Sequence, residues 1–270
     1  MGTLARMLTL VPRGLAPLPC TSMPRRTLVA ETWLLLGLSL GASALWSLLS
    51  LVDKLTKHIA LARQTTAMNT SVTPDRPWLD LAYQLLPIAL GVLPAVFAVH
   101  LLCRDDPAAP SIIGLDRHEP ARDLWRGALL AGVIGIPGLG LYGAARALGL
   151  NTTIAAANLA DHWWTVPVLI LAAAQNAILE EVVMIGYLLT RWRQAGWGVA
   201  SAIGVSALIR GSYHLYQGFG GFVGNAVMGI VFGLVYARTR RLLPLVVAHT
   251  LLDVVAFVGY TLLRDHWSWL

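Results

Sequence analysis

Charge is scarce in this chain. Only 13% of its 270 residues are Asp, Glu, Lys or Arg, against 56% hydrophobic, too little polar surface to cover a water-soluble domain of this length. Cysteine is nearly absent: Cys20 and Cys103 are the two present, with neither metal-ligand spacing nor the number a disulfide framework needs. No basic patch is interleaved with aromatics, so nucleic acid is not an expected partner. Residues 1–26 carry scattered arginines and prolines, no acidic residue and no compact apolar stretch. They do not read as a secretory signal, and the expectation is a disordered cytoplasmic tail. Internal repeats and low-complexity segments are missing too.

What remains is apolar sequence in long runs. Stretches near 28–52, 79–102, 124–148, 163–189, 197–216, 220–237 and 242–263 are each long enough for a hydrocarbon core that takes about 20 helical residues. The predicted fold class is all-α, a polytopic membrane helix bundle of about seven transmembrane helices, eight at most. The net charge of +6 sits mostly in tails and loops, where basic residues set topology or meet lipid headgroups. The N-terminal tail and the second, fourth and sixth loops hold most of the Lys and Arg, which favours a cytoplasmic N-terminus. The first loop, with Lys54, Lys57, Arg63 and Arg76, runs against that trend. The absence of a signal and the compactness of the chain are those expected in a bacterial plasma membrane, with membrane lipids as surroundings.

The polar residues divide unevenly among these stretches. The last four hold Glu180, Glu181, Arg210, His214, His249 and Asp253. One charged side chain at the middle of a spanning helix costs at least about 2.5 kcal/mol, so six imply mutual pairing or a watery cavity. Helical spacing sorts them: residues four apart share a face, which pairs Arg210 with His214 and His249 with Asp253. Glu180 shares a stripe with Asn176, Met184 and Tyr187, while Glu181 points about 100° away. The two carboxylates therefore cannot face a substrate equivalently; one should act and the other orient it. Gly220, Gly224 and Gly229 are spaced for close helix packing rather than for nucleotide binding.

The order and spacing of these pairs, Glu180-Glu181-Val-Val-Met-Ile185-Gly186, then Arg210-Gly-Ser-Tyr-His214, then His249-Thr-Leu-Leu-Asp253, resembles the CPBP intramembrane protease family. That family includes the type II CAAX prenyl endopeptidases and the Abi-like proteins. The resemblance covers about residues 160–262 and frames the chain as a 1–26 tail, N-terminal helices and loops over 27–159, a catalytic core over 160–263 and a 264–270 tail. It implies an intramembrane endopeptidase acting on a membrane-associated peptide or protein, lipidated or not. Glu180 would activate water, Glu181 and Asp253 would be catalytic partners, and Arg210, Asn176 and Tyr187 would bind substrate or balance charge. His214 and His249 would stabilise the oxyanion or bind a divalent metal such as zinc.

Three positions depart from the family pattern. Ile185 stands where the family has Arg, Arg210 where it has Phe, and Asp253 where it has Asn. Arg210 is expected to supply from a neighbouring helix the charge that Ile185 does not. A scaffold of the same fold without proteolysis, or a proton-coupled transporter, stays open at this point. Depth poses a further problem. His249 lies about 12 Å along its helix from Arg241, whereas His214 lies about 25 Å from Trp197 along its own. They can share a site only if the fifth helix starts deep or ends inside the protein, and the glycines of residues 216–221 offer such a break.

Overall fold

The computed structural model describes residues 18–263. Residues 1–17 of the expected tail, and the 264–270 tail, lie outside the described residues. Those from 18 to 24 are not helical but are tied down: the Cys20 amide donates to Asp106 at 2.9 Å and the Thr21 hydroxyl to Asp105 at 2.9 Å.

The architecture is the all-α polytopic bundle that the apolar runs predict. In chain order the helices are α1 (Arg25–Gly37), α2 (Leu40–Thr56), α3 (Pro77–Gly91), α4 (Leu93–Asp105), the single turn α5 (Ala109–Ile112) and α6 (Pro120–Ala147). There follow α7 (Thr165–Glu180), a π-helix (Glu181–Tyr187), α8 (Leu188–Gln194), α9 (Val199–Ser212), α10 (Phe219–Thr239) and α11 (Leu243–Leu263). Prolines stand at the starts of α3 and α6, where the lost N–H has no helical partner anyway. Among the described residues five helical stretches are long and apolar enough to cross a membrane, six if α1 and α2, bent by 48°, count as one. The expected fifth stretch, 197–216, folds as α9 of 14 residues. At 1.5 Å per residue it falls short of the bilayer core.

Around the continuous α7–π–α8 rod the other helices pack. Of its most apolar window 56% is buried, against 6% for α6, so the rod is the axis of the bundle and α6 faces outward. Its core partners include Leu35 of α1, Leu101 and Leu102 of α4, Ile203 of α9, Phe232 of α10 and Leu245 of α11. Small residues let α10 press on α9: a side chain at Gly229 would lie 3.0 Å from the Ala207 Cα, and one at Gly233 2.8 Å from Ile203. This is the close packing expected of Gly229.

Two loops meet at one end of the bundle. Strand β1 (Thr65–Ala67) pairs in parallel with β2 (Thr153–Ala155), Thr66 opposite Ile154. The pair closes over the turn after α9: the Thr152 amide donates to the Gln217 carbonyl at 3.0 Å, and the Thr66 hydroxyl to the Tyr216 carbonyl at 3.2 Å. Gly218 makes that turn possible, with φ of +112° and the Leu150 carbonyl 2.5 Å from where a Cβ would stand, which only glycine tolerates.

Candidate active site

Because α9 stops at Ser212, the depth problem disappears. His214 sits in the turn inside the protein, and non-helical backbone at this depth is tolerated because protein surrounds it. The α9 residues before it face the π-helix, and α11 brings His249 from the other side.

Glu181 is the most tightly held group. Fully buried, it accepts from Arg210 Nη2 at 2.6 Å and from His249 Nδ1 at 2.7 Å on one oxygen, Oε1, while Oε2 has no partner. Arg210, also fully buried, stacks its guanidinium over Phe232 with 5.5 Å to the ring centroid. Its Nη2 lies 3.9 Å from Glu180 Oε2, and its Nε and Nη1 have no partner. Glu180 differs: its side chain keeps 11% exposure, and its Oε2 accepts from the Tyr213 hydroxyl at 2.7 Å. One carboxylate is thus locked and the other retains an open oxygen, the asymmetry that helical spacing predicts.

Tautomers follow from the partners. A carbonyl only accepts, so His214 Nδ1, 3.0 Å from the Arg210 carbonyl, carries hydrogen and leaves Nε2 free. His249 Nδ1 donates to Glu181, which turns its Nε2 toward Asp253 Oδ1 at 3.7 Å. Asp253 in turn accepts from the Asn176 side chain at 3.4 Å.

Glu180, Glu181 and His249 each offer a ligand atom within 4.8 Å of the others. Two carboxylates and an imidazole suit a zinc-like ion in type and number, and the unpartnered Glu181 Oε2 leaves a lone pair for it. His214, expected to pair with His249 as a ligand, stands outside this set. It reaches the cluster instead through the Arg210 carbonyl and the Tyr213 ring, 4.8 Å away between centroids.

Tyr187 does not join the site. The α-helical stripe placed it with Glu180, but the intervening π-helix turns it away, and it lies buried against Arg191 with 5.5 Å from guanidinium to ring. Tyr213 and Phe232 are site residues that helical spacing misses, the first because it follows the end of α9, the second because an apolar aromatic carries no signal in a membrane helix.

Residues 162–255 match the family model described as type II CAAX prenyl endopeptidase Rce1-like. This segment is an Rce1-like domain. Every residue of the cluster, from Asn176 to Asp253, falls inside the match. No curated protein and no solved structure matches the chain. An Rce1-like domain within a bundle of membrane-length apolar helices supports an integral membrane endopeptidase.

Proposed function

We propose that the chain hydrolyses a peptide bond of a lipid-bearing peptide or protein within the membrane, with Glu180 as the base that activates water. One observation carries the assignment: Glu180 alone of the pair keeps an accessible oxygen, while Glu181 is bonded from both sides. Glu180 accepts the proton of a water lying between it and the scissile carbonyl. Tyr213 holds the carboxylate in place by its hydrogen bond. Arg210 and His249 fix Glu181 by their hydrogen bonds to its Oε1. His214, with its hydrogen on Nδ1, offers a lone pair at Nε2 and so accepts a hydrogen bond from the attacking water rather than donating one to the oxyanion. Glu180, Glu181 and His249 would hold a divalent ion; bound there, it would polarise the scissile carbonyl.

The lipid part of the substrate has a fitting place. A groove of about 380 Å³ on the bundle surface has among its lining residues Val96, Val99, Ile178, Val182, Leu243 and Val246. Ile178 and Val182 flank the two glutamates on the central rod, so an apolar chain lying there would bring its attached peptide to the site.

The test is cleavage of a prenylated peptide by the purified protein in lipid, beside the same peptide without the prenyl group. Cleavage of the prenylated form, lowered by about 10³-fold in Glu180→Gln with the protein still folded, is the expected result. Equal cleavage by Glu180→Gln, or no cleavage by the wild type, rejects the reading. A chelator series in the same assay reads the ion's part.

A further inference from the structure

The seven residues Glu181–Tyr187 form a π-helix directly after Glu180. Such segments are rare, and short ones inside α-helices are frequent at functional sites. At its end the Leu188 amide donates to the Val183 carbonyl, five residues back, and α8 then resumes the four-residue spacing. A ladder that shortens from five to four skips one carbonyl. With Leu188 on Val183, the next amide on α spacing, Leu189, reaches Ile185, so the skipped carbonyl is that of Met184. Inside an apolar bundle only protein can satisfy it. Ser206 does: its hydroxyl, buried on α9, donates to the Met184 carbonyl at 2.9 Å. One turn further along the same face, Arg210 donates to Glu181. Helix α9 therefore grips the π-helix by its main chain and by its side chain.

We propose that Ser206 is a positioning residue, which fixes the π register of residues 181–187 and through it the directions of Glu180 and Glu181. The proposal rests on the reading of Glu180 as the base. Its physical content lies in what a change of register would move. Helix α8 is clamped, because Arg191 donates to Asp105 at 2.7 Å and to the Leu101 carbonyl at 2.7 Å. Removing the extra residue from the ladder therefore cannot turn α8. It must turn the end of α7 by about 100°, swinging both carboxylates away from Tyr213, Arg210 and His249.

Ser206→Ala, Ser206→Thr and Glu180→Gln, purified in the same lipid, test this with a prenylated peptide as probe and with a determined structure of Ser206→Ala. The expected results are a kcat at least about tenfold lower in Ser206→Ala with KM within about threefold, recovery in Ser206→Thr, and a Leu188 amide that has left the Val183 carbonyl. A Ser206→Ala structure that keeps Leu188 on Val183 and Glu181 on His249 overturns the proposal, as does a kcat within about twofold of wild type. If Ser206→Ala fails to fold, Ser206→Cys, a weaker donor of similar size, is read by the same criteria. An inert Glu180→Gln beside an unimpaired Ser206→Ala removes only the role of Ser206; an active Glu180→Gln removes the catalytic reading beneath it. Should the wild type leave the probe intact, the Ser206→Ala structure decides alone.

Discussion

Two buried arginines stand on consecutive elements of this bundle, and they are treated differently. Arg191, at the end of the central rod, gives Nη1 to Asp105 and Gln194 and Nη2 to the Leu101 carbonyl. Arg104 extends that cluster to Glu31 and Asp105. The cluster joins α1, α4 and α8 and holds the segment before α1 through Thr21. Arg210, halfway along the bundle, bonds one carboxylate oxygen, and two of its nitrogens and the other oxygen of Glu181 are left without partners. Buried polar groups are satisfied almost everywhere in proteins. The cluster that ties helices together leaves two such atoms without partners, Arg191 Nε and Glu31 Oε2, and the cluster around Glu181 leaves three, two of them on Arg210. Unsatisfied groups beside an accessible carboxylate are what a site needs if water and substrate are to enter it.

The contrast can be broken at either end. The largest effect is expected from Arg191→Met, which takes from Asp105 the buried one of its two cations, leaving the more exposed Arg104, and costs up to about 3 kcal/mol. Thermal unfolding in detergent reads the loss, while kcat of the molecules that remain folded stays at the wild-type value. Unchanged unfolding would mean that the first cluster does not hold the helices. Arg210→Phe should do the reverse, lowering kcat by roughly 10²-fold, the size of losing one preorganised partner. Adding Ile185→Arg should recover part of that loss. If the double variant is no more active than Arg210→Phe alone, the charge on α9 does not replace one on the π-helix.

The smallest effect lies outside the membrane, in the loop before α6. Arg241 bonds both Asp116, at 2.7 Å, and Asp123, pinning that loop to the turn between α10 and α11. Burial alone would push the Asp116 carboxyl up, but the hydrogen bonds from Arg241 and the His118 amide outweigh it and hold it down at about 2, from an ordinary value of 3.8. The stabilisation is therefore complete above pH 3.8 and is lost as pH falls through about 2. Partial exposure keeps it below about 1 kcal/mol. The melting temperature of the wild type should exceed that of Asp116→Asn by a constant margin at neutral pH, and the margin should close in acid. A margin that persists at pH 2 would assign the difference to something other than this ion pair.

Much of this was legible in the residues themselves. Apolar runs of membrane length require helices, since only they satisfy every backbone group in lipid. Carboxylates and imidazoles are too costly there to be scattered, so Glu180, Glu181, His249 and Asp253 had to meet. The unequal surroundings of the two glutamates followed from the turn per residue, and the link from Arg210 to Glu181 from the missing charge at Ile185. Other features depended on contacts between distant segments. That α9 ends at Ser212, that the ladder passes through π spacing and so sends Tyr187 to Arg191, and that Tyr213 rather than a histidine holds Glu180 leave no periodic trace. Local sequence sets which groups a helix carries and where they point while its spacing is regular. Where the spacing changes, and which carbonyl is then left for Ser206 to satisfy, was decided by the packing of α9 and α11 against the central rod.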